Sequence, residues 1–177
     1  YQKQITIIAT KVYDSLNIAY LSISGLIGND VVTLSGSAYY LDSLVGNNKI
    51  VNISGYLYGS NNYVLVTPTY VIGQILPAQL TLNIYNIDRF YDRTLNAQVI
   101  YTISGIYSSD IGLVDLSSNF IAKYQTISAE INKIINITNI SLIGSMFNNY
   151  LINKSTTIFG SIIKKPIQLI GANKIYD

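Results

Sequence analysis

The chain has 177 residues; 49% are hydrophobic and 11% charged, and its 11 basic and 9 acidic side chains leave a formal net charge of +2. So little charge excludes strong steering toward nucleic acid or an anionic membrane, and so apolar a chain is not disordered by composition. With no Cys and no His, disulfides, thiol catalysis and metal sites built on imidazole or thiolate are excluded too.

In chain order, Ile5–Thr10, Ala19–Ser24, Asp30–Ser35, Lys49–Ser54, Tyr63–Val66 and Thr69–Ile72 alternate or carry β-branched and aromatic side chains, and each predicts a short strand. Gly28-Asn29-Asp30 and Gly59-Ser60-Asn61-Asn62 are turn material between them. Pro77 cannot sit in a central ladder and marks a boundary. Leu80–Ile84 then opens a second series. Within it, Ser128–Ile134 fits either a short helix or a strand pair, and the partial alternation of Ile134–Ile140 favours a strand. Pro166 is a second boundary, and Ile167–Asp177 reads as the first strand of a third unit. No apolar run is long enough to cross a bilayer. The chain starts at Tyr1 with no visible signal peptide, so it reads as an internal piece of something longer.

These series form an internal repeat. Lys11-Val12-Tyr13-Asp14 returns 78 positions later as Arg89-Phe90-Tyr91-Asp92, and again as Lys174-Ile175-Tyr176-Asp177. Ile23-Ser24-Gly25 returns as Ile103-Ser104-Gly105, Asp30 as Asp110, and Asn61-Asn62-Tyr63 as Asn148-Asn149-Tyr150. The expected organisation is residues 1–77, a longer 78–166, and the opening strand of a third repeat over 167–177.

These marks resemble the YDG-type repeat, and the related MBG family, of large filamentous-haemagglutinin-like surface adhesins. The first repeat matches best, through Lys11-Val12-Tyr13-Asp14, Ser24-Gly25, Asp30-Val31-Val32-Thr33-Leu34, Asn62-Tyr63 and Pro77. The Gly that follows Tyr-Asp in the family is Ser15 in one repeat and Arg93 in the other. The resemblance implies an all-β module in a stalk or adhesin array, with no catalytic residues to carry over.

Asp14, Asp92 and Asp177 end strands, where a carboxylate can accept the N–H groups of the following turn. The adjacent Tyr13, Tyr91 and Tyr176 can seal the end of a small core while the hydroxyl reaches a backbone carbonyl. Calcium at these positions would need several oxygen ligands together, and the three Asp lie whole repeats apart. Asn62-Tyr63 and Asn149-Tyr150 read as turns feeding strands. Asn52, Asn136, Asn139 and Asn153 begin Asn-x-Ser/Thr sequons, a pattern that chance also produces in a chain so rich in Asn, Ser and Thr. No convergent carboxylate pair, serine triad or phosphate-binding glycine loop is evident. Tyr39, Tyr40, Tyr56 and Tyr58 could line a core edge or an outward, ligand-binding face.

The fold expected is all-β: tandem small β-sandwich or β-grasp-like modules. The function expected is a non-catalytic, cofactor-free structural segment of an extracellular, cell-surface or virion-surface stalk or fibre, giving spacing and self-assembly. Its partners would be other copies or adjacent repeats, without nucleic acid or direct membrane insertion. The alternative is an adhesin module that binds glycan or a receptor through its tyrosines.

Overall fold

A computed structural model describes residues 3–59, 62–65 and 70–171. The strands are β1 (Lys3–Val12), β2 (Leu21–Ser24), β3 (Thr33–Tyr40), β4 (Gly46–Gly59), β5 (Tyr63–Leu65), β6 (Tyr70–Leu76), β7 (Ala78–Gln79) and β8 (Thr81–Ile87). They continue with β9 (Arg89–Phe90), β10 (Gln98–Ser104), β11 (Asp115–Leu116), β12 (Ile121–Tyr124), β13 (Glu130–Thr138), β14 (Leu142–Ile143), β15 (Tyr150–Leu151) and β16 (Thr156–Ile163). Among the described residues the only helical pieces are two 3-10 turns, Ser108–Asp110 and Phe147–Asn149. The fold is therefore all-β, built from small curled sheets. Among the described residues no α-helix covers a sheet as a β-grasp arrangement requires.

Two compact units divide the chain. The first comprises Tyr1–Thr81, Ser104–Asp115 and Leu142–Ile152. The second comprises Leu82–Ile103, Leu116–Ser141 and Asn153–Asp177.

In the first unit the main sheet has the order β2-β1-β6-β4-β3, with β5 also on β1. β1 and β6 run parallel, Ala9 opposite Gly73 through Val12 opposite Leu76. β6 pairs antiparallel with β4, and β4 with β3. Side chains alternate as a two-residue period demands: Val71, Gly73 and Ile75 of β6 are buried, while Tyr70, Ile72 and Leu76 are exposed. A satellite core of Ile5, Val32 and Tyr63 packs with Ile7, Ile23, Leu26 and Leu34. The strand expected from Asp30 begins at Thr33, because Ile27–Asp30 closes a turn through the Asp30 N–H on the Ile27 carbonyl.

The second unit contains the sheet β12-β13-β16-β9. β13 settles the region open between helix and strand: Lys133, Ile135 and Ile137 alternate inward against β16. The ladders repeat those of the first unit. β9 and β16 are parallel, Arg89 opposite Ile162, as Lys11 of β1 stands opposite Ile75. β13 slips register between Glu130 and Lys133 where β4 slips between Gly46 and Lys49. Asn48 and Asn132 take left-handed backbone angles inside those bulges (φ 54° and 60°). Of the opening strand expected over 167–177, residues 167–171 join no strand and 172–177 lie outside the described residues.

Candidate functional site

The Tyr13-Asp14 and Tyr91-Asp92 motifs each follow their strand in one local construction. The Asp14 carboxylate accepts the Leu16 N–H at 2.9 Å and lies 2.5 Å from the Lys11 ammonium. Lys11, buried, also donates to the carbonyls of Leu16 (2.8 Å) and Ile18 (3.0 Å). In the second unit Arg89 does the same for Thr94 (2.6 Å) and Asn96 (2.8 Å), and Asp92 accepts the Thr94 N–H at 2.8 Å. The Thr94 N–H and hydroxyl hold the Asp92 carboxyl below the ordinary carboxylate value. The cation two residues before the tyrosine therefore gathers the carbonyls of the loop that follows.

Ser15 and Arg93 both have φ 65°. This is the left-handed region that costs an L-residue about 1–2 kcal/mol and Gly little. Ser15→Gly and Arg93→Gly are each expected to stabilise their unit by about 0.5–1 kcal/mol, Gly's chain-entropy cost offsetting part of the strain. Urea unfolding of the single variants measures this.

The tyrosines meet their partners at longer range. In the first unit Tyr63 donates to Asp30 at 2.6 Å and accepts the Ile27 N–H at 2.9 Å. Tyr150 repeats the pattern with Asp110 (2.7 Å) and the Tyr107 N–H (3.1 Å). Asp110 has a further partner. The Tyr13 hydroxyl donates to the same carboxylate oxygen at 2.7 Å, and the Ser109 hydroxyl donates to the other at 2.9 Å. The Tyr13 ring stands edge-on to Tyr107 and to Tyr150, with centroids 5.9 and 5.4 Å apart. Close by, the Asn149 side-chain oxygen accepts the Val45 N–H at 2.9 Å. Asp110 is 1% exposed and Tyr13 1%. Turns from the second sequence repeat thus complete the core end of the first, inside the first unit.

This cluster has a defined charge state. Burial pushes the Asp110 carboxyl up, but hydrogen bonds from Tyr150, Tyr13 and Ser109 outweigh it and hold the carboxyl below its ordinary value. Burial, then the Asp110 hydrogen bond, pushes the Tyr150 phenol up to about 12 and raises Tyr13 for the same two reasons. A phenol whose folded value is raised adds stability that is complete below its unfolded value, near pH 10. That stability is lost as pH rises through the folded value. The first unit is expected to weaken between about pH 10 and about pH 12. Urea midpoints taken across that range would show it, and Tyr150→Phe should flatten the slope.

The remaining sequence-named residues distribute unevenly. Tyr39 and Tyr40 point to opposite faces of β3. Tyr39 is exposed, whereas Tyr40 is buried with its hydroxyl on the Gln74 carbonyl at 3.0 Å, a core residue and not part of an outward face. Tyr124 matches it, donating to the Ser161 carbonyl at 3.0 Å beneath the Arg89 guanidinium. The Tyr56 and Tyr58 side chains, and Tyr176 and Asp177 altogether, lie outside the described residues. Asn62 is exposed at the start of β5 and Asn149 is buried at the start of β15. The Tyr13 hydroxyl goes to a carboxylate, not to the carbonyl expected for it. Residues that sequence reasoning gave no role include Lys11, Arg89, Tyr107 and Tyr124. Of these, the basic residue two before each tyrosine was the visible signal.

Among the described residues no group of three or more His, Cys, Asp or Glu could hold a metal ion, and no helix is long and apolar enough to cross a membrane. The YDG domain family matches residues 1–70 of the chain. Neither the curated proteins nor the solved structures yield a match.

Proposed function

We propose that the chain is a structural repeat segment of a long extracellular or surface stalk or fibre, with residues 1–77 and 78–166 as tandem sandwich-like modules. The observation that carries this reading is the pairing of each module's entering and leaving strands. β1 enters and β6 leaves the first repeat, hydrogen-bonded side by side and parallel. β9 and β16 do the same in the second. Tension on the ends pulls the entering strand backward and the leaving strand forward. Because the two are parallel, those forces oppose each other along the strand axes and load every ladder bond together, in shear. An antiparallel hairpin pulled at its open end breaks its bonds one pair at a time.

The shared cluster supports the same reading. Repeats whose turns complete a neighbour's core form a quasi-linear array with strong nearest-neighbour coupling. The YDG match over the first repeat agrees with a surface setting.

The test is single-molecule force extension of the whole chain. Its lack of Cys lets engineered thiols define the handles. Pulled from its ends, the chain should unfold at severalfold higher force than when Thr33→Cys and Gly59→Cys handles, on register partners at the open end of the hairpin, peel β3 from β4. Equal, low forces in both geometries would contradict a stalk.

A further inference from the structure

The main sheet of the first unit turns one face to solvent, and three of its residues form a row across that face. Tyr39 of β3 pairs with Asn52 of β4, and Asn52 pairs with Tyr70 of β6. All three are exposed, the tyrosines by 46% and 53%. The two aromatic side chains therefore leave the same face from strands two spacings apart, about 10 Å, with an amide between them. One step along the same face, Ile50 and Ile72 are also register partners, and both are exposed. An adjoining open groove of about 440 Å³ is lined by Ile8, Thr10, Asn47, Asn48, Ile72 and Gln74.

The fold does not ask for these aromatic residues. In the second unit β12, β13 and β16 pair in the order of β3, β4 and β6, and the same row there reads Lys123, Asn136 and Thr157. Nor do the rings close the core, which Tyr40 enters from the opposite face of β3. Two tyrosines and Ile8, Ile50 and Ile72, all exposed on one face, make the kind of apolar patch that marks an interaction surface.

The chemistry of the face narrows its ligand. Among the described residues that point outward from β1, β3, β4 and β6 none is charged, and the polar ones are Ser, Thr, Asn and Gln. Such a face has no cation for a phosphate or carboxylate and no anion for a basic partner. It does offer what a neutral sugar needs. An aromatic ring covers the C–H face of a pyranose, and an amide presents a donor and an acceptor together to neighbouring hydroxyls. In an extended β-linked polysaccharide alternate sugars turn the same face to one side, at close to the distance that separates the strands of Tyr39 and Tyr70.

We infer that this face binds a neutral, extended β-linked polysaccharide, with Tyr39 and Tyr70 each stacking on a sugar ring and Asn52 bonding the hydroxyls between them. The chain crosses the strands along the Tyr39–Asn52–Tyr70 row. The inference stands apart from the stalk reading and adds an adhesive face to the first unit.

Depletion of the whole chain from solution by insoluble cellulose and by chitin, with titration by cellohexaose and chitohexaose, tests it. Binding to at least one of the two polymers should appear and should survive high salt, because no ion pair holds it. Tyr39→Thr and Tyr70→Thr should each weaken binding about tenfold, whereas Tyr39→Phe and Tyr70→Phe should keep it. Threonine keeps a strand-favouring side chain at both exposed positions, as Thr157 does in the second unit, so thermal unfolding should not move. Tyr85→Ala, at an exposed tyrosine of the second unit, should leave binding unchanged. Failure to bind either polymer, or binding that ignores both threonine variants, would overturn the inference. So would self-association in sedimentation velocity that those two variants abolish while neither polymer binds, since the face would then belong to a second copy.

Discussion

Asp110→Ala is expected to destabilise the first unit by about 4 kcal/mol, because it leaves two buried hydroxyls without an acceptor at about 1–3 kcal/mol each and opens a cavity between three rings. Tyr13 and Tyr150 both donate to one oxygen of that carboxylate. An asparagine there can keep that oxygen and turn its amide toward Ser109, so Asp110→Asn should cost only about 1 kcal/mol. The contrast separates loss of the acceptor from loss of the charge. Two units need not unfold in one step. The reading should therefore come from urea curves of Tyr fluorescence fitted for two transitions, only one of which moves. Equal costs for the two variants would mean that the charge, not the geometry, holds the cluster.

Gly73→Ala is the second large effect, about 3 kcal/mol, at the upper end for one methyl group forced into a packed core. A Cβ at Gly73 would stand 2.6 Å from the Ala9 carbonyl oxygen, 2.9 Å from the Ala9 Cβ and 3.0 Å from a Tyr40 ring carbon. Two of these belong to the neighbouring strand, so no flexible chain end can yield. The glycine exists because Tyr40 passes beneath β6 to reach the Gln74 carbonyl. Gly160 serves β16 in the same way, where an added Cβ would collide with the Asn86 side chain. Thermal unfolding of Gly73→Ala should show one transition, that of the first unit, shifted down by several degrees. An unchanged curve would mean that β1 and β6 separate freely, which would also undermine the shear argument.

The sequence made the strands legible because most are half-buried and alternate. It also exposed the Tyr-Asp, Asp and Asn-Tyr marks, because those residues recur at nearly constant spacing. What it did not expose is who bonds to whom. The sequence has Tyr13 sealing its own repeat, yet its acceptor Asp110 lies 97 residues away. Asp110 and Asp30 look alike in sequence, and only the chain path decides which of them meets a second tyrosine. Tyr39-Tyr40 shows a second limit. Alternation places Ala38 with Tyr40 on the buried face, a pairing easily overlooked when two tyrosines stand side by side. The mid-strand glycines were a readable hint of close approach that the β6 and β16 patterns carried without being singled out. At Ser15 and Arg93 the sequence shows only a side chain where a Gly is expected, and the strain lies in the backbone angle.

Amide hydrogen exchange on the whole chain, comparing the wild type with Asp110→Ala, tests most directly whether turns of one repeat complete the core of the one before. Protection should fall at Tyr13 and Val45, whose N–H groups bond to the Leu76 carbonyl and to Asn149. It should fall together with residues 104–115 and 142–152, while Tyr91 and Ile135 in the second unit stay unchanged. Loss confined to residues 104–115 and 142–152, with Tyr13 and Val45 still protected, would contradict the account.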